Sequence, residues 1–416
     1  MAVDYDVAII GAGAAGIAAA RQLTGSNHSV ILLEASQRIG GRAWTQSLNQ
    51  MPLDIGCGWL HSARRNPLVP LGEAAGLTIE KGPSAWGEQW GNLGFSAREQ
   101  TEASSVWERF MDRLRRSPPQ TDMASDALEA DSPWNPYCHA MSGYLNGVEL
   151  NAVSVTDFLA YDIVATDDNW RAHEGYGNLI SLLLPERVSI RFSTPVRSVK
   201  RSAEGVEIDT SRGRFRCRTA IVTVATDVLA RSLITFDEAV DDHIQAASRL
   251  PLGHAEKIFI ELKGDHGLEA ETHLIGDPRG SVTGSYYIRP LGRPVIEGFF
   301  GGNGAVLFKK NGLQDIYSFA LDELAALLGE SIRRRTAFLA ASQWSSTDWI
   351  YGSYSHALPG HADARGILAK SVDDRIFFAG EATHQFAFST AHGAWESGVR
   401  AAGEVMAALR CPSTRT

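Results

Sequence analysis

The apolar positions of this chain fall into runs whose period changes from continuous to helical to alternating. Val7 to Ile10 is an uninterrupted apolar run, the pattern of a strand buried on both faces. Residues 14–23 read as a helix, and Val30 to Leu33 form a second apolar run. The three together predict a βαβ unit. Between Ser104 and Arg116, Val106, Trp107, Phe110, Met111 and Leu114 recur at helical spacing, and Pro118 to Pro136 predicts a loop or lid. Short strands are then expected at Val188–Phe192, Val196–Lys200, Gly205–Asp209, Arg214–Cys217 and Ala220–Val224. Further on, the pattern predicts strands at Glu256–Leu262, Ser285–Ile288 and Val295–Phe300 and a helix over Leu313–Leu328. A last strand and long helix fill Ile376 to Arg410.

Composition narrows the class. With 416 residues, 44% hydrophobic and 21% charged, the chain is an ordinary globular enzyme in make-up and long enough for two domains. The net charge of −9, with no dense Lys/Arg block, argues against nucleic acid or an anionic membrane as the main partner. No apolar run approaches the roughly 18 residues that span a bilayer, and the start lacks a basic segment, so a cytoplasmic location is expected. Cys57, Cys138, Cys217 and Cys411 are scattered without metal-ligand spacing. They read as reduced thiols, and no metal site is expected.

The chemistry is concentrated near the start. Gly11, Gly13 and Gly16 follow the first strand directly, allowing a tight turn, close backbone approach to a pyrophosphate and tight packing of helix on strand. Glu34 ends the second strand, where a carboxylate accepts both hydroxyls of an adenosine ribose and disfavours a 2′-phosphate. This unit alone leaves NAD and FAD both open. Arg38-Ile39-Gly40-Gly41-Arg42 tips the reading to FAD, because two glycines let the chain turn back over a cofactor while the arginines neutralise its pyrophosphate or orient its far end. Near the other terminus, the strand Ile376 to Phe378 runs into Gly380-Glu381 and a fresh helix, a second place for a polar cofactor.

In order, these motifs resemble the flavin-containing amine oxidases, the group of monoamine oxidases, polyamine oxidases and lysine-specific histone demethylases. The resemblance includes Gly11 to Gly16, Glu34, Gly40-Gly41-Arg42, Asp54 to His61, Asn66-Pro67-Leu68, Thr194-Pro195-Val196, Gly253 to Lys257, Trp344, Gly352 to Ser355, Pro359-Gly360 and Ala379 to Gly398. It implies an α/β chain, α+β overall. A discontinuous Rossmann-like FAD-binding domain (1–70, 172–250 and 345–416) would join a mixed-sheet and helical substrate domain (71–171 and 251–344). Gly11, Gly13, Ala14, Ala15 and Gly16 would approach the pyrophosphate, with Glu34 and Ala35 at the ribose and Gly41 and Arg42 along the cofactor. Val196 would hold the adenine through its backbone, and Gly380 and Glu381 would sit near the pyrophosphate and ribityl chain. Gly58, Trp59 and Trp344 complete the cofactor set with Thr390 and Ala391, which open a helix facing the flavin.

The resemblance also implies the reaction: hydride transfer from the carbon next to an amine to flavin N5, hydrolysis of the resulting imine, and flavin reoxidation by O2 to H2O2. Lys257 matches the family lysine that holds a water at flavin N5, although on its own it reads as a solvated lysine. His61 is a substrate-side candidate, either orienting the amine or simply lining the cleft as a hydrogen-bonded histidine. Phe386, Phe388 and Trp395 are expected pocket walls. Monoamine oxidases carry their flavin-linked cysteine where this chain has Gly352, so FAD is expected to be non-covalent. Their tyrosine pair maps onto Ser353 and Thr390, so that aromatic cage is absent. The expected partners are a small-molecule amine and O2, with a homodimer left open. An L-amino acid oxidase, an FAD-dependent desaturase or dehydrogenase with another electron acceptor, and a flavoprotein with a structural or binding role remain as alternatives.

Overall fold

The computed structural model describes residues 3–202 and 204–410, apart from the side chains of 308–311. Two main sheets organise the chain. The first contains β1 (Tyr5–Ile10), β2 (Val30–Leu33), β3 (Ser189–Arg191), β4 (Val196–Arg201), β5 (Val206–Thr210) and β6 (Gly213–Val222) in the order β3-β2-β1-β6-β5-β4. The second contains β7 (Ala255–Leu262), β8 (Thr272–Ile275), β9 (Ser285–Ile288), β10 (Val295–Gly301) and β11 (Thr336–Ala341) in the order β8-β9-β10-β7-β11. A seventh strand of the first sheet, β12 (Ile376–Phe378), pairs with β6.

The central strands of the first sheet, β1, β2, β12 and the second half of β6, are buried on both faces, as continuous apolar runs require. Val7 and Ile9 of β1 pack with helices α1 (Ala14–Thr24) and α7 (Ala391–Arg410), while Ala8 and Ile10 face a second core with Val199, Ile208 and Leu229. One expectation is corrected here. Arg214–Cys217 and Ala220–Val224 are not two strands but parts of β6, which changes partners along its length. Its first half pairs antiparallel with β5, its second half parallel with β1 and β12. Arg218 and Thr219, between the two expected strands, lie where that exchange begins.

In the second sheet, alternation divides the faces. Ile258, Leu274, Tyr286, Ile296 and Phe300 point into a core with Ile316, Ala320 and Leu324 of helix α5 (Leu313–Leu328). The opposite face carries Lys257, His273, Ser285, Tyr287, Glu297 and Phe299, a largely polar set. Three further helices, α2 (Ala97–Arg116), α3 (Asn135–Asn146) and α4 (Val155–Asp162), come from the insertion after the first βαβ unit, and α3 packs against β10. Helix α2 starts earlier than the apolar spacing suggests, because Ser96 and Glu99 form a reciprocal capping box. Residues 118–134 are not a lid: Ala124, Ala127 and Trp134 are buried against α2, and Asp122 is tied to Ser154, Thr156 and the Gly360 N–H.

Helices α1 and α7 pack closely through glycine. A Cβ on Gly398 would meet the Ala15 carbonyl oxygen at 2.1 Å, whereas one on Gly403, further along the same helix, meets nothing within 4 Å. Gly398→Ala is therefore expected to destabilise the fold by about 1–3 kcal/mol, and Gly403→Ala to stabilise it by up to about 1 kcal/mol. Urea unfolding of the two variants should show midpoints displaced in opposite directions.

Candidate active site

A cavity of about 850 Å³ runs from the glycine turn after β1 to the polar face of the second sheet. At one end lie Gly11, Gly13, Ala14, Ala15, Glu34, Ala35, Gly41, Arg42 and Val196. Gly58, Trp59, His61, Lys257, Trp344, Ser353, Gly380, Glu381, Phe388, Thr390 and Ala391 line the same space. Segments hundreds of residues apart in sequence are thus brought to one cavity.

The local geometry at the turn follows from its glycines. Gly11 has φ +104°, in the region that favours glycine. Gly16 does not line the cavity; a Cβ there would sit 1.9 Å from the Gly11 carbonyl oxygen, so its absence of side chain closes helix on turn. Helix α1 begins at Gly13 with no side-chain cap, leaving first-turn N–H groups facing the cavity at Ala14 and Ala15. Glu34 accepts the N–H groups of Ala12 at 2.7 Å and Ser36 at 2.8 Å, which fixes its carboxylate at the end of β2. An extra Cβ at Gly380 meets nothing within 4 Å, so backbone borders open space there. Uncapped N–H donors, a fixed carboxylate and bare backbone suit an adenine dinucleotide with its pyrophosphate at the helix terminus.

Around the middle, charges are organised by burial. Arg42 donates to the Ser353 carbonyl at 2.6 Å and pairs with Glu381 at 2.9 Å. Glu381 also accepts Ser355 Oγ at 2.7 Å and the Ser389 N–H at 2.9 Å. Burial pushes its carboxyl up, but Arg42, Arg365 and these hydrogen bonds outweigh that and hold it below the usual range. Arg365 in turn donates to both oxygens of Asp157, at 2.5 and 2.8 Å, and to Ser355 Oγ at 2.9 Å, and stacks 3.6 Å from the centre of the Phe388 ring. Thr390 Oγ1 accepts the Gly393 N–H at 3.0 Å, so its hydroxyl caps α7.

At the far end, Lys257 is buried on an interior strand. Its ammonium pairs with Glu297 at 2.7 Å and donates to the Asp54 carbonyl at 3.0 Å. Asp54 itself is pushed up by burial, against the opposing pull of Lys257. The His61 ring lies 2.6 Å from Asn169 Oδ1 through Nδ1 and stacks on Trp86; burial lowers its pKa and favours neutral imidazole. Trp59 contacts Trp86 and Tyr287, and Arg171 lies over both Trp59 and Tyr287 while pairing with Glu271. Burial raises the Cys57 thiol to about 12, so it is protonated at neutral pH. Cys57, Cys138 and Cys217 are free; Cys411 lies outside the described residues.

Two expected wall residues are elsewhere. Phe386 is 47% exposed on the surface, and Trp395 is buried in a core with Ala14, Ile17 and Leu60, because its position on α7 faces α1 rather than the cavity. Sequence reasoning missed Arg171, His273, Ser285, Tyr287 and Glu297. The acid in Val295-Ile296-Glu297-Gly298-Phe299-Phe300 was a legible signal, since a carboxylate inside an apolar strand needs a partner.

Comparison with known proteins bears on the family and the fold. The family of flavin containing amine oxidoreductases matches residues 14–84 and 83–406. Lysine-specific histone demethylase 1 homolog 1 of Arabidopsis thaliana is 28% identical over 97% of this chain and 52% of its own length. Polyamine oxidase 3 of Oryza sativa subsp. japonica is 27% identical over 95% of this chain and 88% of its own. The chain thus spans about half the length of the demethylases it matches. Among solved structures, putrescine oxidase bound to putrescine superposes with a TM-score of 0.77 at 20% identity, covering 97% of this chain and 99% of that one. Cyclohexylamine oxidase from Brevibacterium oxydans IH-35A gives 0.77 at 20% identity, covering 98% and 100%. These likenesses establish the fold. Among the described residues no helix is long and apolar enough to cross a membrane.

The lowered Glu381 pKa has a stability consequence. A carboxyl depressed by folding stabilises above its unfolded value of 4.5 and loses that contribution as pH falls through the lower folded value. Glu381→Gln should cost about 3 kcal/mol at pH 7, because Arg42 and Arg365 lose a buried partner. In denaturant titrations, the gap between wild type and variant should narrow below pH 4.5.

Proposed function

This chain belongs to the family of flavin containing amine oxidoreductases, and from that membership we propose that it oxidises an amine at the carbon next to nitrogen. FAD is its cofactor, and we propose that it is held without a covalent link, since Gly352 offers no nucleophile. When bound, FAD would supply the two-electron acceptor for the amine's hydride, with O2 and a proton taking the electrons away as H2O2. The observation that carries the reading is Lys257, a buried ammonium in a cavity whose other end is the glycine turn.

In this reading the first turn of α1 and Arg42 hold the pyrophosphate, Glu34 the ribose, and the Val196 backbone the adenine. The N–H groups that open α7 stabilise negative charge on the cofactor. Glu297 and the Asp54 carbonyl fix Lys257 Nζ, which orients a water or O2 for the oxidative half-reaction. An alkylamine of pKa near ~10.4 costs roughly 4–5 kcal/mol to deprotonate at neutral pH, and the aromatic walls around Trp59, Trp107, Tyr161 and Phe388 reduce that by desolvating its ammonium. Neutral His61, held by Asn169, orients the amine nitrogen. The domain division at 1–70, 172–250 and 345–416 against 71–171 and 251–344 is supported by the two sheets, each drawn from one set of segments. A small-molecule amine in the cytoplasm completes the proposal.

A second reading, an amino acid oxidase, is favoured by one observation: Nη1 of the cavity-lining Arg171 is buried without a hydrogen-bond partner. Anaerobic mixing of the FAD-loaded protein with monoamines, polyamines, cyclic amines and amino acids separates the two by which class bleaches the flavin. If none does, the proposal of amine oxidation falls. Lys257→Met is expected to slow reoxidation of the reduced protein by O2 about a hundredfold while anaerobic bleaching by amine persists. Stopped-flow absorbance checks this, and reoxidation at the wild-type rate contradicts the role given to Lys257.

A further inference from the structure

The register of the second sheet orders the cavity floor. Lys257 pairs across β7 and β10 with Phe299, Phe299 with Ser285 on β9, and Ser285 with Ile275 on β8. A parallel row runs from Phe259 through Glu297 and Tyr287 to His273. Two strand spacings put Ser285 about 10 Å from Lys257 along the floor, with the Phe299 ring between them.

Most polar groups on this floor are already paired. Lys257 and Glu297 hold each other, and Tyr287 Oη accepts the Ala85 N–H and donates to Glu271. The exception is the far end, where His273 Nε2 meets Ser285 Oγ at 2.7 Å and both residues line the cavity. This pair keeps spare capacity in either tautomer. If the imidazole donates, the Ser285 hydroxyl proton is free; if Ser285 donates, its oxygen still accepts. Burial lowers His273 to about 4, so no charge is present there at neutral pH. Ile275 and Phe299 flank the pair with apolar surface.

We propose that Ser285 and His273 form a subsite for a neutral hydrogen-bonding group, such as a hydroxyl, at the end of the substrate remote from its amine, and that it discriminates against a second ammonium. Phe299 then carries the apolar middle of that substrate. The inference rests on the amine-oxidising reading and concerns which amine the cavity takes.

The test uses the FAD-loaded protein reduced with dithionite under nitrogen, which cannot oxidise an amine, so calorimetric titration gives equilibrium affinities. The probes are 2-phenylethylamine, its para-hydroxy derivative and 1,4-diaminobutane. Wild type should bind the hydroxylated amine about fivefold more tightly than the unsubstituted one, and the diamine most weakly. Ser285→Ala should abolish the hydroxyl preference and leave 2-phenylethylamine within about twofold; Ser285→Thr should restore the preference. Equal affinities for both phenylethylamines in wild type, tightest binding of the diamine, or loss of both ligands in Ser285→Ala would overturn the subsite. Amine oxidation is read separately, by anaerobic bleaching of the oxidised protein, so either idea can fail without the other.

Discussion

A guanidinium taken out of water costs several kcal/mol unless its donors are paired, and Arg365 is only 1% exposed. Its solution joins three parts of the chain. Asp157, on α4, takes two of its N–H groups, Ser355 takes a third, and Ser355 hands on a hydrogen bond to Glu381, which pairs with Arg42. Phe158 and Tyr161 beside Asp157 line the cavity, as do Arg42 and Glu381. One connected set of charges therefore fixes both the helix that walls one part of the cavity and the carboxylate that borders another. Removing either Arg365 or Asp157 leaves the other buried without its ion-pair partner.

The second sheet adds a division by parity. Because successive residues on a strand face opposite sides, alternate positions of β7 to β10 build an apolar core with α5 while their neighbours build the cavity floor. A charged pair, Lys257 and Glu297, sits at one place on this floor and a neutral pair, Ser285 and His273, at another. The Phe299 and Tyr287 rings lie between the two pairs along the floor.

Much of this was legible in the sequence because it is local. The βαβ unit, the glycine turn and the strands β7, β9 and β10 follow from apolar runs and alternation, and they occur where the pattern placed them, within a residue or two. What was not legible is long-range. Strands β8 and β11 were both missed, and the alanine-rich β11 looks neither helical nor extended. Trp395 and Phe386 show the limit of residue type as a guide: each is a large aromatic in a motif-rich segment, yet one faces a neighbouring helix and the other solvent. Asp157 and Arg365 lie 208 residues apart, and nothing near either one announces the other.

Arg365 joins the parts of the cavity proposed to take the cofactor and the amine. FAD dissociation constants for wild type, Asp157→Asn, Glu381→Gln and the double variant test this joining. The double variant should weaken FAD less than the product of the two single effects, by a coupling of about 1 kcal/mol or more. Multiplicative effects, or an Asp157→Asn variant that binds FAD as wild type does, would contradict it.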